Sequence, residues 1–590
     1  MCVPVQRAGG LHQRAEPAAR RWVLRRVDVT VSHAADVPYL IVGAGPVGLT
    51  AARLLSNAGR RCMVVERRDG PQRNPAAHVV NPRTLEILRQ AGFDMEAILG
   101  VAQDPADAGH VNFVTRLNGQ LIGQLPFERQ GDEILALTPH PLRNISQHRL
   151  EPLMSAEVGA SPLVDLRYDT EWVSAARTGN GVVSVIRDVR TGAEVNLRSS
   201  CLIGADGAGS AVRKSTGIEM TGPAGLQSFV AIHFRGSLRR YVGGRPGALH
   251  FVMDPDASGV FIAHDIDNES VFMVGFDPAT ESAEDYGSDR CARIVRAAIG
   301  DEAADVEIAG VGTWHMTAQV ADRFRDGPVF LAGDAAHRFP PTGGMGLNTG
   351  VADAHNLVWK LLAVENGEAS PGLLDTYESE RRPVAEINCH QSLTNAFKMV
   401  VLAGALGLAP GSTGDDLAAT LADPSRQDEI AAGVQAQSTH FDMLGLQLGY
   451  VYETPLNPGT AVKPEEVDPT PFRPDGRIGS RLPHGWLDDG RSTLDLVATD
   501  SLTLLTFGAH DEWNAAMSSA TSWCSQVRIG VDVLVSDEWR ETCGVGVDGA
   551  LLVRPDQHIA WKSTRMPAGA GESLVTVSTA VLGDAKGGSR

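Results

Sequence analysis

Short apolar runs that end near glycine divide the first part of the chain into strand-length segments. A run of about four to eight apolar residues bounded by turn signals is typical of a strand buried on both faces. Between the first two runs, LTAARLL carries apolar residues at helical spacing and is followed by Gly59, a residue common after helices. This alternation predicts a doubly wound α/β domain with a parallel sheet. The runs are YLIV at 39–42, CMVV at 62–65, CLIG at 201–204 and VFLA at 329–332.

Between residues 217 and 325 the pattern changes to short strand-like runs such as FVAIHF and GVFIAHD. They predict an antiparallel sheet packed beside the α/β domain. Residues 371–450 are helical in pattern, and the proline-containing stretch at 456–475 predicts a linker. Strand-like and helical stretches then alternate. The predicted boundaries are an N-terminal extension at 1–36, an α/β domain at 37–216 and 326–400, a sheet domain at 217–325, a helical segment and linker at 401–475, and a C-terminal domain at 476–590.

The composition limits the possible functions more than it limits the possible folds. The chain has 590 residues, a formal net charge of −19 and 43% apolar residues, which is ordinary for a globular protein. The negative charge argues against a nucleic-acid partner, and no apolar stretch approaches the ~20 residues that span a bilayer. The seven cysteines include no C-x-x-C pair, so neither a disulfide frame nor a metal site is predicted. We therefore expect a cytoplasmic protein with a disordered, arginine-rich extension at 1–36.

The turn after the first strand has the spacing of a dinucleotide-binding site. Gly43, Gly45 and Gly48 form G-x-G-x-x-G between a strand and a helix, and an acid ends the second strand 18 residues later. In order, these glycines are expected to form the tight turn, admit a pyrophosphate and let helix and strand pack closely. The helix N-terminus attracts phosphate, and the acid can bind a ribose hydroxyl. The motif fits an NAD(P) dehydrogenase and an FAD protein equally. The predicted contacts are Gly43, Gly45, Pro46, Gly48, Glu66 and Arg67.

Two later strands end in the same kind of turn. The run CLIG leads into Asp206, and the run VFLA leads into Gly333 and Asp334. In a doubly wound sheet the carboxyl ends of the parallel strands line one crevice. A single extended cofactor could therefore contact all three strand ends.

These motifs, in this order, resemble those of one family. "GAGPVGL" followed by Glu66, "CLIGADGAGSAVRK" at 201–214 and "GPVFLAGDAAHRFPPTGGMGLN" at 327–348 are similar to motifs of the single-component FAD-dependent aromatic hydroxylases, the p-hydroxybenzoate and phenol hydroxylase group. The C-terminal stretch resembles the thioredoxin-like domain of phenol hydroxylases, although Cys524 and Cys543 are too far apart for its usual redox pair. The resemblance implies an α/β fold with a Rossmann-like FAD-binding domain, an antiparallel-sheet substrate domain and a C-terminal thioredoxin-like domain, and it leaves a homodimer open.

The resemblance also implies roles for single residues around the flavin. Asp334 is expected to bind the ribityl chain, and the carbonyl of Pro341 to face the substrate as part of the catalytic site. A glycine-rich turn lets the backbone approach the isoalloxazine ring, and the following helix points its first N–H groups at the N1–C2 edge, where negative charge develops on reduction. His337 is expected to be structural. The other residues placed against the cofactor are Gly333, Gly344, Gly346, Leu347, Asn348, Gln147 and Asp206.

One stretch departs from the pattern of the family. Ala76 stands where p-hydroxybenzoate-type enzymes carry an arginine that meets the pyrophosphate, and Arg53 or Arg73 is the candidate replacement. His78 stands where phenol hydroxylase has an aspartate close to the substrate hydroxyl. An imidazole titrates near neutral pH and can remove a phenol proton. His78 is therefore a candidate catalytic base, and packing beside the flavin is the alternative.

The function that the resemblance implies is FAD-dependent hydroxylation of a phenolic or polycyclic aromatic substrate through a flavin C4a-hydroperoxide. NADPH or NADH is expected to bind transiently as the reductant, since no second Rossmann fingerprint is present, and O2 is the co-substrate. The closest branches are chlorophenol-type and polycyclic polyketide hydroxylases. The alternative is a Baeyer–Villiger or epoxidising flavin monooxygenase that acts on a polyketide. Substrate size, regiochemistry and nicotinamide preference stay open.

Overall fold

The computed structural model describes residues 35–179 and 181–583. The expected disorder of residues 1–36 therefore lies almost entirely outside the described residues. The last two residues of that segment, Ala35–Asp36, differ from the expectation, because they pair in parallel with Leu197 and Arg198. The first described strand thus begins before residue 37.

Capping side chains mark the starts of several helices. In the second helix, for example, the Asn81 side chain accepts the backbone N–H of Thr84, and proline occupies the first turn. The helices are α1 (Pro46–Asn57), α2 (Pro82–Gln90), α3 (Met95–Gly100), α4 (Pro105–Ala108), α5 (Gln147–Gly159), α6 (Ala211–Ser215), α7 (Arg239–Val242), α8 (Ser288–Ile299), α9 (Met345–Glu365), α10 (Thr376–Ala405), α11 (Gly414–Ala422), α12 (Gln427–Gln435), α13 (Leu444–Leu448), α14 (His510–Ala520), α15 (Asp537–Cys543) and α16 (Ala570–Leu582).

The central strands β2, β3, β12 and β21 follow the apolar runs of the sequence, whereas short strands such as β7 and β20 are polar. They are β1 (Ala35–Asp36), β2 (Tyr39–Val42), β3 (Cys62–Val65), β4 (Val79–Val80), β5 (His110–Val114), β6 (Leu121–Pro126), β7 (Arg143–Asn144), β8 (Val164–Arg167), β9 (Thr170–Thr178), β10 (Gly181–Asp188), β11 (Glu194–Ser199), β12 (Cys201–Gly204), β13 (Met220–Thr221), β14 (Gln227–Arg235), β15 (Leu249–Val252), β16 (Gly259–Asp265), β17 (Glu269–Phe276), β18 (Glu307–Met316), β19 (Gln319–Ala321), β20 (Arg325–Asp326), β21 (Val329–Leu331), β22 (His337–Arg338), β23 (Leu502–Phe507), β24 (Cys524–Ile529), β25 (Ala550–Val553) and β26 (Ile559–Ser563).

A six-stranded sheet in the order β20-β21-β12-β2-β3-β8 forms the centre of the α/β domain. Apart from the short edge strand β20, its neighbours pair in parallel. All residues of β2, β3, β12 and β21 are buried, as expected for strands covered on both faces. The largest apolar core lies between this sheet and the helices α1, α5 and α9. A separate small sheet, β1-β11-β10-β9, borders the domain.

A seven-stranded sheet in the order β18-β14-β17-β16-β15-β5-β6 forms the second domain. The predicted range 217–325 supplies five of these strands, and β5 and β6 come from the segment that was assigned to the α/β domain. β5 joins through a parallel pairing with β15. Adjacent alternating runs predict antiparallel hairpins well, whereas a parallel pairing between strands that lie far apart in sequence leaves no local signal.

The C-terminal domain has a four-stranded sheet, β24-β23-β25-β26, with α14, α15 and α16 around it. β23 and β24 are parallel and the other pairs antiparallel. Cys524 lies in β24, and Cys543 ends α15 as a buried free thiol. The domain packs against α9, where Trp359 stacks on Trp523. In residues 35–179 and 181–583, no helix is both long and apolar enough to cross a membrane.

Candidate active site

The carboxyl ends of three parallel strands meet at one edge of the six-stranded sheet. Val42 of β2 pairs with Gly204 of β12, and Gly204 pairs with Leu331 of β21. The three turns singled out in the sequence therefore lie side by side. β3 pairs with β2 on the other side, so Glu66 extends the same row. The sheet edge thus forms a cleft lined by glycines and acids.

Glycines shape the first of these turns. Gly43 has a φ of +107°, and a Cβ on it would lie 2.2 Å from the carbonyl oxygen of Ala205 in the neighbouring turn. A Cβ on Gly48 would lie 2.0 Å from the carbonyl oxygen of Gly43. At Gly45, in contrast, a Cβ would meet no described atom within 4 Å. α1 begins directly after Gly45 at Pro46, and no side chain of the described residues caps it. The turn therefore presents open space and a helix N-terminus to a ligand.

The acid at the end of β3 is held in place by its neighbours. Glu66 is buried; its Oε2 accepts the N–H of Ala44 at 3.0 Å, and its Oε1 accepts the N–H and Nε of Arg68 at 3.0 and 3.1 Å. Arg68 also donates to Glu151 at 2.9 Å. Arg67, the predicted contact, has an exposed side chain. Consecutive residues after a strand point to opposite sides, and sequence alone does not say which arginine turns inward.

Gln147 begins α5, and a buried acid orients its side chain. Its Nε2 donates to Glu151 Oε2 at 2.9 Å. The other oxygen of Glu151 accepts the backbone N–H of Gln72 at 2.7 Å. Glu151 is completely buried and, through Arg68, connects the start of α5 with Glu66. The sequence signal for this pair is an acid four residues after the glutamine, which places the two side chains on the same face of a helix.

Asp206 stabilises its own turn. Its carboxylate accepts two backbone N–H groups at the start of α6, at 2.7 and 3.1 Å, and the Ser210 hydroxyl at 2.5 Å. Arg213 in that helix donates to the carbonyl of Ala335 at 3.0 Å, which ties the second strand-end turn to the third. The predicted contact of Asp206 with a cofactor stays a prediction.

A buried carboxylate behind the third turn holds that turn in shape. Asp353 Oδ2 accepts the N–H of Gly333 at 3.1 Å and pairs with Nε2 of His337 at 2.7 Å, and Oδ1 accepts Nε of Arg381 at 2.8 Å. Burial raises the pKa of Asp353, but Arg381 and His337 outweigh that effect and keep it below its usual value. The His337 ring also stacks on the Phe339 ring, and the two ring centroids are 4.8 Å apart. These contacts support a structural role for His337.

Asp334 faces the cleft. Its side chain is exposed there, and its Oδ1 lies 3.7 Å from the position that a Cβ would take on Gly346. Protein surrounds the carboxyl on its other sides, and this burial raises its pKa. His337 and Arg338 lower the pKa but do not outweigh burial. The carboxylate is therefore placed to accept hydrogen bonds from a polyol chain that runs between β21 and the start of α9.

A glycine turn brings the start of α9 to the same cleft. Gly344 precedes the helix with a φ of +62°, and a Cβ on it would lie 2.5 Å from the Cβ of Val79. The Asn348 side chain is already engaged, because Oδ1 accepts the N–H of Asn81 at 3.0 Å and Nδ2 donates to the Val79 carbonyl at 2.9 Å. Only the backbone of Asn348 can therefore reach a ligand. Pro341 is exposed, Gly346 and Leu347 are half-buried, and Asn348 is buried.

Four histidines and one glutamate lie close together where the α/β domain meets the sheet domain. This histidine cluster consists of His78 before β4, His148 in α5, His233 in β14, His264 in β16 and Glu269 in β17. The ring centroid of His264 lies 5.7 Å from that of His78 and 6.1 Å from that of His148. Glu269 pairs with Nε2 of His148 at 3.0 Å and Nε2 of His233 at 2.8 Å. The sequence contains all five residues but no local pattern that connects them.

In this cluster, His78 and His264 are neutral imidazoles, and Glu269 is an ionised carboxylate. Burial lowers the pKa of His78 to about 4, although the hydrogen bond that its Nδ1 makes to Oδ1 of Asn144 acts in the opposite direction. Burial also lowers the pKa of His264 well below its usual value. Hydrogen bonds from His148 and His233 hold the pKa of Glu269 far below its usual range. His78 is therefore neutral at physiological pH and able to accept a proton.

Family models match most of the chain. The model described as "FAD binding domain" matches residues 36–392, and the model described as "Aromatic-ring hydroxylase, C-terminal" matches residues 475–585. The chain is 32% identical to 2,4-dichlorophenol 6-monooxygenase of Cupriavidus pinatubonensis, over 93% of this chain and 96% of the relative. It is also 32% identical to tetracenomycin A2 monooxygenase-dioxygenase of Streptomyces glaucescens, over 94% and 98%.

Two solved structures superpose on almost the whole chain. The flavin-dependent monooxygenase PieE, in complex with FAD and substrate, superposes with a TM-score of 0.85 at 34% identity, over 93% of this chain and 99% of that chain. A ternary complex of aklavinone-11 hydroxylase with FAD and aklavinone superposes with a TM-score of 0.76 at 30% identity, over 93% and 100%.

Proposed function

The chain belongs to the family of FAD-binding aromatic-ring hydroxylases and is an FAD-dependent aromatic monooxygenase, and on that basis we propose that it hydroxylates a phenolic ring with NADPH or NADH as reductant and His78 as the base. The observation that carries the proposal is the cleft, where three strand-end turns and the start of α9 lie together. Both the fold and the cleft support the same class of chemistry.

The residues of the cleft fit FAD. Open space at Gly45 in front of α1 suits the pyrophosphate, since free N–H groups and the helix dipole favour anions. Glu66 suits the ribose, and Asp334 suits the ribityl chain. The start of α9 carries no side-chain cap from the described residues and would place its N–H groups, including that of Leu347, at the flavin ring. Gln147, Asp206 and Arg67 remain proposed contacts.

The chain's own groups would prepare the phenol for attack. Bound FAD supplies the activation of O2 after reduction by the nicotinamide. His78 accepts the proton of the substrate hydroxyl, which raises electron density at the ortho and para ring carbons. The buried walls formed by the antiparallel sheet exclude water from the reaction. The carbonyl of Pro341 is proposed to face the substrate.

The substrate class is a phenol of one or several fused rings. By their names, the relatives described above act on 2,4-dichlorophenol and on tetracenomycin A2, and the aklavinone-11 hydroxylase complex holds aklavinone. We propose a polycyclic phenol as the better fit, since the tetracenomycin enzyme and aklavinone-11 hydroxylase match 94% and 93% of this chain. Oxygen insertion beside a ketone is the second candidate for a polyketide substrate.

A coupled assay tests the reaction. Purified FAD-loaded protein is given NADPH or NADH and a panel from simple phenols to hydroxynaphthalenes and hydroxyanthraquinones, with NAD(P)H oxidation and product mass recorded. We expect oxidation to be stimulated by one size class with the gain of one oxygen atom, as a new ring hydroxyl in the product's NMR spectrum. A lactone product would identify oxygen insertion, and unstimulated oxidation with every phenol would contradict the proposal.

Two substitutions test the residue roles separately. His78→Gln is expected to lower kcat about 100-fold while FAD stays bound, since general bases contribute about 10²–10⁴-fold. Asp334→Ala is expected to lower FAD retention after gel filtration. His110→Gln, which changes an exposed histidine at the start of β5, is the matched control. Equal activities of the His78 and His110 variants would contradict the base role.

A further inference from the structure

A buried amide sits directly behind His78. Nδ1 of His78 lies 3.0 Å from Oδ1 of Asn144, whose side chain is 4% exposed. The backbone of this segment is fixed independently, because the His78 carbonyl accepts the N–H of Ile145 at 2.8 Å and β4 pairs with β7. The Asn144 side chain therefore acts on the imidazole ring and not on the course of the chain.

A second buried amide determines which way Asn144 points. Nε2 of Gln130 donates to the carbonyl oxygens of Ala108 at 3.1 Å and Phe127 at 2.9 Å. Carbonyl oxygens only accept, so the NH2 group of Gln130 must face them and its Oε1 must face the other way. That oxygen lies 3.5 Å from Nδ2 of Asn144. The reverse orientation of Asn144 would set two amide oxygens against each other.

We propose that Gln130 and Asn144 form an amide relay that fixes one neutral tautomer of His78, with the proton on Nδ1 and the lone pair on Nε2. Asn144 Oδ1 can only accept, so Nδ1 of His78 must donate. Nε2 is then the atom that takes the substrate's proton. The catalytic part of this inference rests on the base role proposed above, whereas the tautomer itself does not.

The proton transfer that follows is balanced within the pair. The O–H bond of the phenol breaks, an N–H bond forms at Nε2, and the imidazolium still donates from Nδ1 to Asn144. A phenolate oxygen beside the ring favours the charged imidazole, which offsets the effect of burial in the free cleft. The proton returns to water when the product leaves. The titratable group that faces His78 from the sheet domain is His264, and His148 lies on the far side of His264.

Nuclear magnetic resonance of the full-length, FAD-loaded protein tests the tautomer directly. Isotope-labelled histidine reports which ring nitrogen carries the proton, and the His78 signals are those lost in His78→Gln. We expect Nδ1–H in the wild type and in Asn144→Asp, which keeps an acceptor. We expect a mixture or Nε2–H in Asn144→Leu, and a partial change in Gln130→Met. An Nε2–H tautomer in the wild type, or no change in Asn144→Leu, would overturn the relay.

The function of the relay is tested by titrating bound p-nitrophenol through its absorbance. Asn144→Leu is expected to raise the pKa of the bound phenol toward its value in water and to lower kcat about 10-fold with little change in KM, because only part of the imidazole then has the competent tautomer. Asn144→Asp is expected to restore ionisation of the phenol and, by raising the pKa of His78, to move the acid limb of the rate profile to higher pH.

Gln437→Leu is the matched control, since it removes an equally buried amide whose Nε2 donates to the carbonyls of Lys398 and Gly433. It should leave the bound phenol's titration unchanged. If Asn144→Leu titrates like the wild type while His78→Gln does not, the relay has no catalytic role. If His78→Gln also leaves the titration unchanged, the proposed base role fails, and the resonance experiment still decides the tautomer.

Discussion

Two buried polar regions flank the α/β domain, and they differ in the state of their charges. The histidine cluster borders the sheet domain and contains the neutral imidazoles of His78 and His264 together with one carboxylate, Glu269. On the opposite side, toward the C-terminal domain, lies an ionic cluster that we define as Lys360, Glu380, Arg554 and Asp556. Arg554 donates to Glu380 at 2.7 and 2.8 Å, and Lys360 donates to Glu380 at 2.8 Å. The histidine cluster contains neutral groups that can gain a proton, whereas the ionic cluster consists of paired charges.

The ionic cluster joins the α/β domain to the C-terminal domain, and its opposite charges offset the cost of burying each other. Burial raises the pKa of Glu380, but Arg554 and Lys360 outweigh it and bring the pKa to about 2. Burial lowers the pKa of Lys360 to about 8, and Glu380 only partly offsets this. Asp556 also accepts Nε1 of Trp359 at 3.1 Å. A second arm of the same interface pairs Arg481 with Glu86 at 2.5 and 2.8 Å.

The difference teaches where each kind of polar group can be used. Buried charges are costly alone, so they occur where several partners are fixed together, and they then hold the C-terminal domain rigidly against α9. Neutral imidazoles cost less to bury and can gain a proton when a substrate arrives. The ionic cluster therefore suits architecture, and the histidine cluster suits chemistry. The C-terminal domain, which lacks a C-x-x-C pair, therefore braces α9.

The largest effect is expected from the ionic cluster. Arg554→Met should lower the free energy of unfolding by about 3–5 kcal/mol, because two buried carboxylates lose their main cation. Urea denaturation monitored by circular dichroism measures the loss. Arg491→Met, which removes an exposed ion pair with Asp489, should cost less than about 1 kcal/mol. Equal losses in the two variants would show that the cluster does not hold the domains together.

The buried carboxyl of Glu128, which lies between the end of β6 and α13, should behave in the opposite way. Glu128 has neutral donors, the N–H of Met443 at 3.2 Å and Nε2 of Gln447 at 3.1 Å, and burial raises its pKa to about 7. The folded state keeps this proton while the unfolded chain releases it above pH 4.5, so stability falls as pH rises from 4.5 through 7. Glu128→Gln should therefore add about 3 kcal/mol above that range and little below it.

Thermal unfolding across pH measures the Glu128 effect. Glu133→Gln, an exposed glutamate in the same loop, is the control and should change nothing. A Glu128 variant that is less stable than the wild type at high pH would mean that the carboxylate is ionised and needed in the folded state.

The smallest effect is expected inside the histidine cluster. Glu269→Gln should cost about 1 kcal/mol at neutral pH, because an amide replaces the charge that Arg149, His148 and His233 bind. The lowered pKa of Glu269 means that its contribution is present above the unfolded value of 4.5 and is lost as pH falls below it. The difference from the wild type should thus vanish in acid.

Denaturation at two pH values tests the Glu269 prediction. Glu307→Gln on neighbouring β18 removes an exposed pair with Arg235 and serves as the control. A loss that persists unchanged in acid would show that packing, and not charge, explains the effect.

The parts of the site that were predicted are those in which a few consecutive residues contain the whole signal. The turn of Gly43, Gly45 and Gly48 and the turn of Asp334 are of this kind, since glycine positions and strand ends are local features. Arg68 was missed because a neighbouring arginine carries the same signal. Asn144 was missed because an asparagine at the end of a short strand is ordinary until its partner is known.

The sequence by itself determined the strand–helix order, the three strand-end turns and the family, because backbone conformation and apolar periodicity are encoded within short segments. Only the tertiary structure decided that β5 joins the sheet domain, that Asp353 holds the third turn from behind, and that five residues from three distant segments form the histidine cluster. These arrangements depend on contacts between residues far apart in the chain. The energy of such a contact exists only after the chain has folded, so no local pattern records it.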